Sequence, residues 1–266
     1  MSLPAPSPES TALVTGASSG IGADLARQLA ARGHGVVLVA RRADRLEALA
    51  EELRAQHGVR AEALACDLAD PEARDALPGR VEALGLTVDV LVNNAGYGSA
   101  GQFVDLDVAA ETDMVRLNCE AVVALSGAYA PQMAQRGRGA ILIVASSAGM
   151  QPIPGQATYA ASNAFALSFS EALHTELGPR GVAVTALCPG PVNTEFAARA
   201  GLSEAFAQVP RFARVSSEDC ARAGIEGLAR GRRVVVPGAP IKVMTIAGHH
   251  TPRSVLLPLM RRFYPV

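Results

Sequence analysis

The sequence is poor in the residues that build metal sites and disulfide frameworks. It has no tryptophan and only 4% aromatic residues. Its four cysteines are widely spaced: Cys66, Cys119, Cys188 and Cys220. None forms a C-x-x-C pair, so neither a zinc site nor a disulfide framework is predicted, and we expect buried free thiols. The adjacent histidines His249 and His250 lack the i,i+4 spacing and the third ligand that a metal site needs.

An excess of charge of one sign is also missing. The 24 basic and 25 acidic residues leave a formal net charge of -1. This balance disfavours nucleic acid and anionic membranes as partners and favours a small neutral or anionic molecule. Lysine is almost absent, because Lys242 is the only one and arginine supplies the remaining positive charge.

Segments that would cross or enter a membrane are not predicted either. The chain has no run of about 18 uncharged apolar residues, so we expect no transmembrane helix. Residues 1–10 are rich in proline and serine and lack the basic and apolar regions of a signal peptide. We therefore expect a disordered tail at 1–10 and a cytoplasmic protein.

Hydrophobic residues make up 49% of the chain and form short, mostly continuous runs. Such runs are typical of strands buried on both faces of a parallel sheet, and they lie at 12–14, 36–39, 61–64, 88–92, 140–145, 182–187 and 234–236. Segments with helical spacing lie between them, at 21–32, 43–56, 108–134, 160–177 and 217–230. This alternation predicts right-handed βαβ units and a doubly wound, Rossmann-like parallel sheet in three α/β/α layers. We expect one domain over 11–237, with 238–266 as its C-terminal extension.

A glycine-rich turn follows the first predicted strand. Its sequence is Thr15-Gly16-Ala17-Ser18-Ser19-Gly20-Ile21-Gly22, and a helical segment follows at once. Glycines allow a tight turn and the close approach of a pyrophosphate, while a helix N-terminus offers free N–H groups. Such a turn also suits an ordinary strand–helix connection, but its place in the first βαβ unit predicts a dinucleotide site. The residues expected to contact the cofactor here are Gly16, Ser18, Ser19, Gly20, Ile21 and Gly22.

The second predicted strand ends at Ala40 and is followed by two arginines. An NAD-preferring enzyme usually places an acid here for the ribose 2′-OH, whereas arginine binds a 2′-phosphate. Arg41 and Arg42 therefore favour NADP(H) over NAD(H), although Arg42 also suits the start of a solvated helix face. The third strand closes in Cys66-Asp67-Leu68, and we include Asp67 and Leu68 in the cofactor site. Asp67 is placed either to accept from an adenine amino group or to cap the next helix.

Two hydroxyl groups mark a second candidate site. Ser146 follows the apolar run 140–145, and Tyr159 opens a helical segment after a loop with two prolines. A strand end and a helix start can bring both hydroxyls to one small molecule, which is the arrangement of an acid/base site. Ser146 is equally suited to capping the turn after it, and Ser147 is an alternative reacting hydroxyl.

These motifs, in this order, resemble the short-chain dehydrogenase/reductase family of compact single-domain oxidoreductases. The resemblance covers roughly residues 10–237 and rests on Thr15-Gly16…Gly20…Gly22, Asn93-Asn94-Ala95-Gly96, Asn118, Ser146, Tyr159 and Pro189-Gly190-Pro191-Val192-Asn193-Thr194. It implies that Asn94 contacts the cofactor ribose and that Asn93 stabilises the sheet. It also places Pro189 and Gly190 at the cofactor, with Val192 and Thr194 at the nicotinamide carboxamide.

The resemblance implies reduction of a ketone or aldehyde by hydride transfer from NADPH. Ser146 would polarise the carbonyl oxygen, and Tyr159, thirteen residues later, would donate the proton. Asn118 would hold a water of the proton relay by the same resemblance, and asparagine is unfavourable within a helix without such a purpose.

The resemblance also gives expectations for assembly and substrate. Helices 108–134 and 160–177 would pack across the interface of a homodimer or homotetramer. Residues 191–215 would form a lid that excludes water from the site. Phe196, Phe206 and Phe212 suit an apolar substrate, and they suit internal packing of the lid equally well.

Asn163 departs from the family pattern. It lies one turn after Tyr159 on the same helical face, where the family has a lysine that lowers the phenol pKa and binds the nicotinamide ribose. Asparagine can do only the second. A free phenol has a pKa of about 10, so alcohol oxidation should suffer most, whereas reduction starts from the abundant protonated form. Three explanations remain open: natural divergence with altered chemistry, an NADP(H)-binding pseudoenzyme or regulatory protein, and an engineered inactive variant.

Overall fold

Seven parallel strands form one sheet in the computed structural model, which describes residues 3–202, 207, 209–210 and 213–263. The strands are β1 Ser10–Thr15, β2 Gly35–Ala40, β3 Ala61–Ala65, β4 Thr87–Asn93, β5 Gly139–Val144, β6 Val182–Leu187 and β7 Val234–Val235. Their spatial order is β3-β2-β1-β4-β5-β6-β7. Each of the seven predicted runs became a strand, and every pairing between neighbours is parallel.

Within the described residues, eight α-helices lie between the strands and two follow the last strand. They are α1 Gly20–Ala30, α2 Ala43–His57, α3 Pro71–Glu82, α4 Val108–Val115, α5 Ala121–Arg136, α6 Ala157–Leu177, α7 Glu195–Arg199, α8 Ser217–Ala229, α9 Ala239–His250 and α10 Arg253–Phe263. Because helices cover both faces of the sheet, the predicted Rossmann-like α/β architecture is confirmed.

Two separate cores lie on the two faces of the sheet. Successive residues of a strand point to opposite faces, so Leu13 packs in one core with side chains of α3, α5 and α6. Its neighbours Ala12 and Val14 pack in the other with α1, α2 and α8. Each fully buried leucine contributes about 2 kcal/mol of apolar burial. The continuous apolar runs therefore reflect strands that are covered on both sides.

The predicted helix at 108–134 is interrupted, which corrects that expectation. Residues Arg116–Glu120 form one π-helical turn between α4 and α5, and such turns are frequent at functional sites. Asn118 lies within it. Periodicity alone could not show the interruption, because one extra residue in a turn shifts the apolar spacing very little.

Both ends of the chain add contacts that periodicity did not predict. The Glu9 carbonyl accepts from the Thr87 N–H at 2.9 Å, so residues before β1 contact the domain. The C-terminal extension contains α9 and α10. In the described part of the chain, no helix is both long and apolar enough to cross a membrane.

Candidate active site

A groove of about 1190 Å³ runs along the carboxyl edge of the sheet. It lies at the point between β1 and β4 where the chain reverses its direction of travel across the sheet, the usual ligand position in such folds. Every residue named above as a catalytic or cofactor-binding candidate lines this groove. The structure thus brings the two candidate sites together, and the individual roles stay predictions.

The glycine-rich turn is held against β4 by a small hydrogen-bond network. The Thr15 hydroxyl accepts from the backbone N–H groups of Asn94 at 2.9 Å and Ala95 at 3.0 Å. The Asn94 amide donates to the Thr15 carbonyl at 2.9 Å. Gly16 has φ +66°, and a Cβ there would lie 2.8 Å from the Asn94 amide nitrogen. The turn therefore requires glycine, and it points the N-terminus of α1 into the groove.

Asn93 and Asn94 have separate structural tasks. The Asn93 amide donates to the Ser126 hydroxyl of α5 at 3.1 Å, which agrees with the sheet-stabilising role expected of it. The side-chain amide of Asn94 is used on the glycine-rich turn, so the ribose contact expected of Asn94 stays a prediction.

Arg42 lies directly over the glycine-rich turn. Its Nη2 donates to the hydroxyls of Ser18 and Ser19, both at 2.8 Å. Arg41 is more exposed, and its Nη1 lies 3.8 Å from an Asp67 oxygen. The other Asp67 oxygen accepts from the Ala69 N–H at 3.1 Å. Asp67 thus bonds the turn that follows β3, whereas the N-cap of α3 is Asp70, so the helix-capping alternative for Asp67 is wrong. Arg42 is the arginine already placed at the phosphate loop.

Glu195 joins this arginine cluster, and sequence reasoning missed it. It accepts from Arg45 at 2.6 Å, and from Arg42 and Arg199 at 3.0 Å each. Hydrogen bonds from Arg45 and Arg42 lower the pKa of the Glu195 carboxyl to about 2. Arg42 and Arg45 are distant from Glu195 in sequence, so no local pattern could have revealed the contact.

Ser146 lies in a buried position two residues after the end of β5. Its hydroxyl accepts from the Ala148 N–H at 3.1 Å and donates to the Pro189 carbonyl at 3.4 Å. The capping role considered for Ser146 is therefore present. Its neighbour Ser147 is held by a backbone bond to the same carbonyl, at 2.8 Å. These contacts fix the Ser146 hydroxyl at the wall of the groove.

Tyr159 lies in the first turn of α6, with Phe196 against it. The ring centroids are 5.5 Å apart and the rings are tilted by 45°. A Cβ on Gly98 would lie 2.8 Å from the Phe196 ring and 3.0 Å from the Tyr159 ring. Gly98 therefore leaves space for both rings. The sequence motifs did not predict this requirement.

Burial raises the pKa of the Tyr159 phenol. The side chains of Ser146 and Asn163 lie close enough to hydrogen-bond the phenol and act in the opposite direction, and the buried Cys188 thiol adds to the increase. None of these named influences is a cation. The phenol is therefore held in its protonated form at neutral pH.

Asn163 is buried beneath Tyr159 and fixed by its own helix. Its amide nitrogen donates to the Tyr159 backbone carbonyl at 2.9 Å. A Cβ on Gly149 would lie 2.6 Å from the Asn163 carbonyl group, so the turn after β5 packs tightly on this residue. Asn163 contributes a neutral dipole to the site.

Asn118 connects the π-helical turn to the same region. Its Oδ1 accepts from the Tyr97 N–H at 3.2 Å, and its Nδ2 donates to the Tyr97 carbonyl at 2.9 Å and the Ser162 hydroxyl at 3.1 Å. Ser162 in turn donates to the Tyr159 carbonyl at 2.9 Å. The side chain of Asn118 thus positions the loop after β4 and the start of α6.

The part of the groove away from the glycine-rich turn has apolar side chains, some of which come from the C-terminal extension. Ile241, Met244 and Thr245 of α9 line it together with Phe196. A Cβ on Gly190 would lie 2.7 Å from Ile241, which shows how closely α9 packs on the segment after β6. Lys242, next to Ile241, is exposed on the outer side of α9. Phe206 and Phe212 lie outside the described residues.

All four cysteines are free thiols, and Cys66, Cys188 and Cys220 are buried. Burial raises the pKa of Cys188 and Cys220 to about 12. These thiols are therefore poor nucleophiles at neutral pH. Across the residues that the structure describes, no group of three or more histidine, cysteine or acidic residues is placed to hold a metal ion.

Comparison with known proteins agrees with this fold. The pattern of the family described as short chain dehydrogenase matches residues 10–205. The very-long-chain 3-oxoacyl-CoA reductase of Aspergillus clavatus is 39% identical over 177 residues, covering 66% of this chain and 51% of that protein. The chain spans about half the length of the reductases of this name from Aspergillus clavatus and Phaeosphaeria nodorum.

Two solved structures cover nearly the whole chain. A short-chain dehydrogenase from Sphingobium yanoikuyae in complex with NADPH has a TM-score of 0.81 and 36% identity, covering 93% of this chain and 94% of that one. The bulky-bulky ketone specific alcohol dehydrogenase of Comamonas testosteroni has a TM-score of 0.77 and 30% identity, covering 94% of this chain and 100% of that one. The chain belongs to the short-chain dehydrogenase family, and its class is that of an oxidoreductase.

Proposed function

We propose that the protein is an NADPH-dependent reductase of ketones or aldehydes. The observation that carries this proposal is the meeting of Ser146 and Tyr159 in the same groove as the glycine-rich turn. A proton donor and a polarising hydroxyl therefore lie next to a site suited to a dinucleotide. Residues 11–237 form the catalytic domain in this proposal, and the described part of 191–215, which contains α7, belongs to its lid.

The residues present fit a dinucleotide. A Cβ at Gly22 would collide with the Asn94 amide and the Gly16 carbonyl, so the turn leaves backbone N–H groups open to phosphate. Preference for NADP(H) is supported by Arg41 and Arg42 after β2, where no acid stands to bind a free 2′-OH. The similar Sphingobium yanoikuyae enzyme has NADPH bound.

In the proposed reaction, the bound cofactor supplies a hydride to the carbonyl carbon. Ser146 donates a hydrogen bond to the carbonyl oxygen and so stabilises the negative charge that develops there. Tyr159 donates its proton to that oxygen. The raised pKa of Tyr159 keeps the proton in place before reduction. Asn163 supports the ring position. After Tyr159 has given up its proton, none of the residues that set its pKa offers a positive charge to the phenolate.

An apolar substrate is favoured by the side chains at the far end of the groove. Phe196 packs against Tyr159, and Ile241 and Met244 add apolar surface to the same groove. Two relatives act on substrates of matching character by their names, a very-long-chain 3-oxoacyl-CoA and a bulky-bulky ketone. We therefore propose a ketone or aldehyde with at least one large apolar substituent.

The competing function is a pseudoenzyme or regulatory protein that binds NADP(H) without turnover. The neutral Asn163 is the observation in its favour. Against it, Ser146, Tyr159 and Asn118 are all present and all line the groove. A site released from catalysis has no need for the full set, so the reductase is the better supported proposal.

The deciding experiment measures NADPH oxidation on a panel of apolar ketones and aldehydes. The protein and its Asn163→Lys variant are compared, and cofactor binding is followed separately by NADPH fluorescence. Turnover by the unaltered protein supports the reductase. If both proteins bind NADPH and neither reduces any carbonyl, the reductase proposal is wrong. Activity of the lysine variant alone would identify the missing cation as the cause of inactivity.

A homo-oligomer formed through α5 and α6 is a further part of the proposal. Val123 on α5 is 41% exposed, and Phe165 on α6 is 42% exposed and stacks on Phe169. Exposed apolar side chains on these two helices suit a symmetric contact between copies. Multi-angle light scattering on the protein and a Phe165→Glu variant tests it, since a dimer or tetramer should dissociate in the variant. The cytoplasmic location stays a prediction.

A further inference from the structure

One carboxylate holds three arginines at the mouth of the phosphate end of the groove. Glu195 accepts from Arg45 at 2.6 Å, and from Arg42 and Arg199 at 3.0 Å each. Arg42 and Arg45 belong to the segment that follows β2, whereas Glu195 and Arg199 belong to α7. The ion pairs therefore join α7, the part of the lid beside Tyr159, to the site proposed for the 2′-phosphate.

The segment that carries Glu195 crosses over the glycine-rich turn. A Cβ on Gly20 would lie 3.0 Å from the methyl group of Thr194, so Thr194 touches the start of α1 from above. The next residue, Glu195, reaches Arg42, which in turn bonds Ser18 and Ser19. Lid, arginine and phosphate loop thus form one connected set of contacts.

A 2′-phosphate and the Glu195 carboxylate need the same donors. Guanidinium groups bind carboxylate and phosphate with the same fork of N–H groups. The 2′-phosphate and the Glu195 carboxylate would repel each other at Arg42, so the anion that binds Arg42 more weakly is displaced. The Glu195 side chain is 44% exposed, and exposed ion pairs of this kind are weak. A phosphate with nearly two charges and three acceptor oxygens is the stronger competitor.

We infer that Glu195 is a specificity-determining residue that competes with the cofactor 2′-phosphate for Arg42 and thereby couples cofactor choice to the position of α7. This inference rests on the proposed preference for NADP(H). A cofactor with a 2′-phosphate displaces Glu195 and frees α7, whereas a cofactor without it leaves the ion pairs intact. Since Phe196 follows Glu195 and packs on Tyr159, the displacement also reaches the chemical end of the groove.

The binding experiment uses adenosine 2′-monophosphate, with adenosine 5′-monophosphate as the ligand control. Calorimetric titrations compare the unaltered protein, Glu195→Gln and Glu226→Gln. The third protein is the matched control, because Glu226 pairs with Arg230 on the exposed side of α8 and its substitution changes the net charge equally. We expect Glu195→Gln to bind the 2′-monophosphate roughly three- to tenfold more tightly, with no gain for the 5′-monophosphate or in Glu226→Gln.

The outcomes separate this inference from the cofactor proposal. If the unaltered protein prefers the 2′-monophosphate and Glu195→Gln binds it no more tightly, the cofactor preference stands and the competition is wrong. If neither protein prefers the 2′-monophosphate, both ideas are overturned. Equal tightening in Glu195→Gln and Glu226→Gln would show a general charge effect and would also overturn the competition.

Amide hydrogen exchange of residues 195–199 tests the coupling to α7. We expect faster exchange when the unaltered protein binds the 2′-monophosphate, and equally fast exchange in free Glu195→Gln. The 5′-monophosphate should leave the exchange unchanged. Exchange in the unaltered protein that does not respond to the 2′-monophosphate would refute the coupling.

Discussion

At the phosphate end of the groove, charged side chains meet across partly exposed surface, whereas at the chemical end neutral groups meet in buried positions. Arg42 and Glu195 are joined by ion pairs that water and salt reach. Ser146 and Asn163 are buried neutral groups, and they counter the increase that burial causes in the pKa of Tyr159. At the phosphate end, charge determines the contacts, and one ion-pair partner can be exchanged for another. At the chemical end, burial holds each side chain in a fixed position. Changes of charge and changes of shape should therefore have different consequences at the two ends.

The largest effect is expected from removing the phenol hydroxyl. Tyr159→Phe should lower kcat for carbonyl reduction by about 10²- to 10⁴-fold, the contribution of a positioned proton donor, while NADPH affinity should change far less than kcat. Tyr129→Phe is the control, because Tyr129 is buried in the core away from the groove. Steady-state kinetics and NADPH fluorescence separate the two quantities. Retention of more than a tenth of kcat in Tyr159→Phe would remove the proton-donor role.

The next effect concerns the missing cation. Asn163→Lys should lower the pKa of Tyr159, since a nearby positive charge favours the phenolate. Alcohol oxidation needs that phenolate, so its rate should rise with pH towards the raised pKa of Tyr159 in the unaltered protein. In the variant, the rise should occur at lower pH, with a gain of about tenfold at neutral pH for each pKa unit.

The control for this change is Asn163→Met, which adds similar length without charge. Its pH profile should not move to lower pH. Oxidation and reduction rates measured across the alkaline range provide the test. An equal shift in both variants would show that packing, and not charge, governs the phenol.

A smaller effect is expected at the phosphate end. Arg42→Ala should weaken NADPH binding by about tenfold or more, the size of a charge-assisted hydrogen bond, and should leave NADH binding nearly unchanged. Arg41→Asp should act in the same direction. Fluorescence titration with both cofactors measures the difference. Equal losses for NADPH and NADH would mean that these arginines do not bind the 2′-phosphate.

The smallest effect is the response to salt. Raising the salt from about 0.05 to about 0.5 M should weaken NADPH binding roughly threefold or more, because exposed charges are screened over a shorter distance. With cofactor saturating, kcat should hardly change, since the buried chemical end contains no exposed ion pair among its described contacts. If kcat at saturating NADPH fell with salt as strongly as NADPH affinity does, the contrast between the two ends of the groove would be wrong.

The strands and the position of the groove could be predicted from the sequence for a physical reason. Runs such as 140–145 and 182–187 are apolar throughout because helices cover both faces of the sheet. Parallel strands bring their carboxyl ends to one edge, so Gly16, Ser146 and the residues after β6 had to meet there. The local motifs carried this information.

The contacts that sequence could not predict join segments with no shared pattern. Glu195 meets Arg45 across 150 residues, and an acid next to a threonine gives no local sign of this. Gly98 lies in a stretch with Gly96 and Gly101, but the requirement for glycine at this position comes from the Tyr159 and Phe196 rings packed against it, which are distant in sequence. The π-helical turn around Asn118 left the apolar period almost unchanged, so it too was hidden.

Lys242 offers a practical consequence. It carries the only lysine ammonium of the chain and is exposed on α9, the helix whose Ile241 and Met244 border the groove. Among residues 1–266, Lys242 is the one side chain that an amine-reactive dye can attach to. A fluorophore introduced there without mutagenesis would stand beside the substrate end of the groove. Its emission could then record, in real time and on unaltered side chains of the site, when a carbonyl compound enters and leaves.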